Sequence, residues 1–149
     1  MSNITTYEEE LNMRGKLIYT NTGVSMLPLL RPKRDLMVLE KKGEGRCKKY
    51  DAVLYKRDNG QYVIHRIIKV RKEDYVIAGD NCYGKEYGIT DKHILAVLTK
   101  VIKDGKEISA TDKKYRLYVH LWCDFFPIRA FILKVKAHWN NVKSRKDEK

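Results

Sequence analysis

The chain has 149 residues, 43% of them hydrophobic and 34% charged, with a formal net charge of +12. That is the length of one domain with enough apolar side chains to build a core, which excludes a disordered chain and two independent domains. The charge is uneven: residues 1–112 hold 21 basic and 16 acidic side chains and residues 113–149 hold 10 and 3, so the excess sits in a tail suited to a solvated surface or an anionic partner.

Thr5 or Thr6 followed by Glu8 and Glu9 predicts a helix N-cap with an acidic first turn, and Gly15 ends that helix after about two turns. From Lys16 onward the pattern changes to short apolar runs, Leu17–Tyr19, Leu36–Leu39, Ala52–Tyr55, Tyr62–Val70, Tyr75–Ala78 and Ile94–Ile102, each bounded by turn-forming or charged residues. This predicts a mainly β core, with hairpins turning at Asp58-Asn59-Gly60 and Asp104-Gly105. Within 62–70 the alternation puts Val63, His65, Ile67 and Lys69 on one face and Tyr62, Ile64, Arg66 and Ile68 on the other.

Beyond residue 113 the period becomes helical: Leu117, Leu121, Phe125, Ile128, Ile132, Val135 and Trp139 form one stripe, interrupted at Pro127. Two helices, or one kinked helix, therefore meet near Phe126-Pro127. His120, Asp124 and Arg129 make the segment too polar to span a bilayer. It either packs on the β core, or lies at an anionic membrane surface through residues 117–139, or binds a partner. The expected architecture is a β-rich domain over 1–112 with a basic amphipathic helical extension over 113–149.

Cys47, Cys82 and Cys123 lie far apart and form no C-x-x-C pair, which argues against a zinc site or disulfide framework and for a reducing compartment. No pattern calls for a metal or cofactor, and no aromatic-and-basic motif calls for nucleic acid. The first 24 residues contain Glu8, Glu9 and Glu10 and neither a secretory signal nor an apolar span. The expected location is cytoplasmic, with peripheral contact to the inner membrane face.

Three segments carry candidate chemistry. In Gly23-Val24-Ser25-Met26-Leu27-Pro28 a small residue precedes a serine and a proline-fixed turn follows it, a loop able to present a hydroxyl with free backbone N–H groups. A serine needs a neighbouring base to become a nucleophile, and forty positions on His65 lies within Ile64-His65-Arg66-Ile67-Ile68. Ala78-Gly79-Asp80-Asn81 is a strand end running into a turn. Taken singly, these read as a loop serine, a packed histidine and a turn former.

Together with Tyr50-Asp51-Ala52-Val53, and in this order, the three segments resemble the successive signature blocks of the type I signal peptidases over roughly residues 16–102. The histidine before Arg-Ile is similar to the archaeal and endoplasmic-reticulum form rather than to the Ser–Lys form. The resemblance implies a coiled β-sheet or partly open barrel, with Ser25 as nucleophile and His65 as general base acting on a peptide or precursor-protein substrate. It also implies a carboxylate that orients the imidazole: Glu86 stands at the family's position, where an aspartate is usual, with Asp80 and then Asp91 as alternatives. Gly23, Val24, Met26 and Pro28 are the implied substrate- and oxyanion-binding positions. Gly23 replaces the hydroxyl many members carry there, which leaves the Ser25 N–H and a donor such as Thr22 and implies slow turnover. Two other functions fit the same blocks: a self-cleaving regulator related to the repressor-type peptidases, and an inactive peptidase-fold module that docks on membrane or nucleic acid.

Overall fold

The computed structural model describes residues 5–147. Helix α1 (Tyr7–Arg14) starts where Thr6 accepts a hydrogen bond from the Glu9 N–H and the Glu9 carboxylate accepts one from the Thr6 N–H. It stops at Gly15, whose φ of 71° costs a glycine little. Eight strands follow: β1 (Lys16–Thr20), β2 (Leu36–Lys41), β3 (Ala52–Lys56), β4 (Tyr62–Val70), β5 (Tyr75–Ala78), β6 (Glu86–Ile89), β7 (Ile94–Lys103) and β8 (Lys106–Ser109). They form one open antiparallel sheet in the order β1-β2-β7-β3-β4-β5-β6, with β8 on β7. The mainly β expectation holds.

Both expected hairpins are present. Asp58-Asn59-Gly60 joins β3 to β4, with Gly60 at φ 86°, and Asp104-Gly105 joins β7 to β8 with both residues left-handed. The strand β6 was not among the expected runs. Its sequence, Glu-Tyr-Gly-Ile, has no apolar alternation, and it is held by pairing with β5.

Side-chain alternation divides the core. Ala52 and Leu54 of β3 join Leu17, Met37, Leu39 and Ile64 on one face of the sheet, and Val53 and Tyr55 join Ile67, Tyr75 and Ile77 on the other. Strand β3 is thus buried on both sides, as its unbroken apolar run Ala52–Tyr55 requires.

Helices α2 (Lys113–Asp124) and α3 (Phe126–Asp147) are separated at Phe125, where φ −100° and ψ 38° leave the helical region just ahead of Pro127. Tyr115, Val119 and Cys123 of α2 are buried in the first core. The 112/113 boundary therefore separates kinds of element and not cores. Among the described residues no helix is long and apolar enough to cross a membrane.

What joins α2 to the sheet is a buried ion pair. Arg66 of β4 donates through Nε and Nη2 to the two Asp80 carboxylate oxygens at 2.8 and 2.9 Å, and both side chains are fully buried. Burial works against the Arg66 charge, but Asp80 outweighs it and holds its pKa above the ordinary value. The Arg66 Nη1 reaches the Tyr50 carbonyl and the Tyr115 hydroxyl, while Tyr118 donates to Asp80 Oδ2 and the Trp122 indole to the Asp80 carbonyl. Such a pair adds little beyond an apolar replacement, yet losing one member strands a buried charge. Asp80→Ala is expected to destabilise the fold by about 3–5 kcal/mol in a denaturant titration; a loss within error of a surface substitution would show that the pair is dispensable.

Candidate active site

The turn that follows β1 is built from local hydrogen bonds. The Asn21 side chain bridges the Gly23 N–H and carbonyl, the Leu27 N–H donates to the Val24 carbonyl, and the Leu30 N–H donates to the Met26 carbonyl. Met26 is fully buried and pins the turn to the core, so of the expected substrate-binding positions it faces away from any cleft. Gly23, Val24 and Pro28 are exposed, and the Pro28 carbonyl accepts from Lys103. Among the described residues the Ser25 N–H meets no acceptor.

A second loop, after β5, is tied to this turn: the Asn81 N–H donates to the Ser25 carbonyl at 2.8 Å, and the Asn81 side chain to the Val24 carbonyl. Gly79 has no room for a side chain. A methyl group there would lie 2.7 Å from the Ser25 carbonyl oxygen, 2.8 Å from the Cys82 sulfur and 3.1 Å from Cδ2 of His65. Ser25 and the edge of the His65 ring therefore press on the same atom-sized space, although forty residues separate them. No hydrogen bond joins the Ser25 hydroxyl to the ring in this structure.

The far side of the ring is held by a relay. Arg57 grips Glu86 with two parallel bonds of 2.8 Å, and the Tyr55 hydroxyl donates to Glu86 Oε2 at 2.6 Å and lies 3.2 Å from His65 Nδ1. Arg57 lowers the Glu86 pKa, so the carboxylate is ionised and takes the single tyrosine proton. The tyrosine oxygen is left to accept, which assigns the His65 proton to Nδ1 and the free lone pair to Nε2. Burial lowers the His65 pKa to about 4, against the opposing pull of Glu86, so the ring is neutral near pH 7.

These contacts decide between the carboxylates. Glu86 acts on His65 through Tyr55. The Asp80 carboxylate is taken up by Arg66 and Tyr118 and makes no hydrogen bond to His65, which corrects the alternative in which Asp80 orients the ring. Asp91 pairs with Arg46, Lys42 and Tyr75 instead. Tyr55 and Arg57 were not among the expected residues, yet the hairpin turn at 58–60 carries the signal. It pairs Val53 with His65, so Tyr55, two residues on, shares the His65 face.

A groove runs between β1 and β4. The outer edge of β1 is unpaired in the sheet, and β4 pairs with β5 only from Arg66 onward, so Tyr62–His65 also present a free edge. A cavity of about 130 Å³ lies between these edges, lined by Leu17, Tyr19, Thr22, Leu54, Val63 and Ile64. Tyr7 of α1 roofs it, packed edge-on against Tyr19 and Tyr62 with ring centroids at 5.3 and 4.8 Å, while Glu8 accepts from the Tyr62 hydroxyl and Lys56. The cavity is far smaller than the ~300–1,000 Å³ of small-molecule sites and has the size for a small side chain of an extended peptide.

Comparison with family models, with curated proteins and with solved structures returns no match to this chain. The geometry stands on its own.

Two outcomes test it. In an NMR titration the His65 ring is expected to protonate near pH 4, and Glu86→Gln to move that midpoint lower still, because it removes a charge that favours the imidazolium and leaves Arg57 unpaired. A midpoint at the ordinary histidine value would contradict the burial. Gly79→Ala is expected to destabilise the fold by about 1–3 kcal/mol and to shift the Ser25 and His65 backbone resonances, since the new methyl meets a backbone oxygen that cannot swing away.

Proposed function

We propose that this protein is a serine endopeptidase of the signal-peptidase type, with Ser25 as nucleophile and His65 as general base. The observation that carries the reading is the approach of the Ser25 carbonyl oxygen and the ring edge of a neutral, Nδ1-protonated His65 to one point beside Gly79. The order of the sequence blocks and the open antiparallel sheet support it as well.

In this reading an extended peptide enters the groove between the free edges of β1 and β4 and adds a strand, so backbone hydrogen bonds set the scissile carbonyl in register beside Ser25. The small cavity takes a small side chain. His65 Nε2 accepts the Ser25 proton as the oxygen attacks the carbonyl carbon, and the proton then passes to the leaving amine as the peptide C–N bond breaks. Water, deprotonated by the same nitrogen, releases the acyl group. The Ser25 N–H is the donor at hand for the oxyanion. The serine–imidazole bond forms when substrate fills the groove, since such bonds are often long in empty sites. The Tyr55–Glu86 relay keeps the lone pair on Nε2 and stabilises the imidazolium that appears during attack.

A peptide library digested by wild type, Ser25→Ala and His65→Ala proteins tests the assignment. Both substitutions are expected to cut kcat by about 10³–10⁶-fold, and unchanged activity in either would refute it. Tyr55→Phe is expected to lower kcat on the order of 10–100-fold, the scale for an outer partner that orients a histidine, with a smaller effect on KM. The base is active when unprotonated, so kcat/KM should stay level as pH falls through 6.5 and drop only near pH 4. Tyr7→Ala is expected to raise kcat/KM for substrates with larger side chains, read from the same library.

A further inference from the structure

The helix α3 meets the body on one side and leaves its apolar side uncovered. Arg129 is buried and Ala130 and Leu133 are half-buried, whereas Ile128, Phe131, Ile132, Val135, Trp139 and Val142 are exposed, Phe131 by 68% and Trp139 by 72%. At 3.6 residues per turn these six fall within an arc of about 100°, opposite the docked residues. Beyond Leu133 every described side chain is exposed, and the oily face of the helix points outward. Exposed apolar area of this extent marks a contact surface.

Charge selects the occupant. Lys136 and Lys143 border one side of the apolar arc and Lys134 and His138 the other, and residues 125–146 contain no Asp or Glu. A second copy of the helix laid against this face would bring lysine borders against lysine borders, which repel. An anionic bilayer surface instead accepts the apolar face among its acyl chains and the flanking lysines among its headgroups, with Trp139 at the boundary where indole is favoured. We propose that the outward face of α3 docks on an anionic lipid surface and lies in its plane. The inference is independent of the chemistry at Ser25.

It also bears on the site. Arg129, on the opposite side of the same helix, donates to the carbonyls of Gly79 and Cys82, and Lys134 lies over the Tyr83 ring. The lipid-facing helix therefore rests directly on the loop that holds Ser25, and docking would bring that loop close to the membrane surface.

The test is co-sedimentation of the full chain with vesicles of phosphatidylcholine alone and of phosphatidylcholine with phosphatidylglycerol. Binding is expected to the anionic vesicles, weakened by high salt, and to be slight with the neutral ones. Ile132→Glu/Trp139→Glu should weaken it by at least about tenfold, and Lys136→Gln/Lys143→Gln by about fivefold for each charge removed. All four positions are exposed, so circular dichroism should show both variants folded. Three results would overturn the proposal: no binding of wild type to anionic vesicles at low salt, equal binding by the glutamate variant, or a wild-type dimer in solution that the glutamates dissolve.

Discussion

The contact on which the molecule turns is the buried Arg66–Asp80 pair. Two charges removed from water are held by further hydrogen bonds: Arg66 to the Tyr50 carbonyl and the Tyr115 hydroxyl, Asp80 from Tyr118. Its position matters more than its energy. Arg66 follows His65 on β4 and points to the opposite face of the sheet, and Asp80 stands between Gly79 and Asn81. Locking them together fixes the distance from His65 to the loop whose Asn81 N–H holds the Ser25 carbonyl. The two candidate catalytic residues are thus spaced by a pair that touches neither reacting atom.

A second arginine–carboxylate pair does different work on the other face. Arg57–Glu86 is partly exposed, and its carboxylate reaches the imidazole through the Tyr55 hydroxyl. A direct carboxylate contact would favour the imidazolium strongly. The interposed phenol fixes the tautomer while burial keeps the ring neutral, which is the state a base requires. The Tyr55 hydroxyl, 2.6 Å from Glu86 Oε2 and 3.2 Å from His65 Nδ1, spans the distance between carboxylate and ring.

The C-terminal helices extend this arrangement outward. Tyr118 and Trp122 of α2 close over Asp80, and Arg129 of α3 reaches the Gly79 and Cys82 carbonyls, so α2 and the start of α3 pack against the loop beside the candidate site. Burial acts against the Arg129 charge, and its place over the loop is consistent with the backbone oxygens it meets there.

Local pattern determined a good deal. Short apolar runs bounded by turn residues identified six strands, Gly60 and Asp104-Gly105 the hairpins, Thr6 and Gly15 the ends of α1, and Pro127 the break in the tail, because each depends on the preferences of a few adjacent residues. The order of four short blocks singled out Ser25 and His65. What the chain order could not decide was which carboxylate serves the histidine. Asp80 and Glu86 both follow His65 in the chain, and only the antiparallel register of β3, β4, β5 and β6 sends one to Arg66 and the other to Tyr55. The β6 strand and the groove between β1 and β4 were hidden for the same reason: an edge is defined by the strand that is not beside it. Periodicity marked the tail as amphipathic, but which part of its apolar stripe is buried was settled by packing, since α2 meets the core and α3 runs past it.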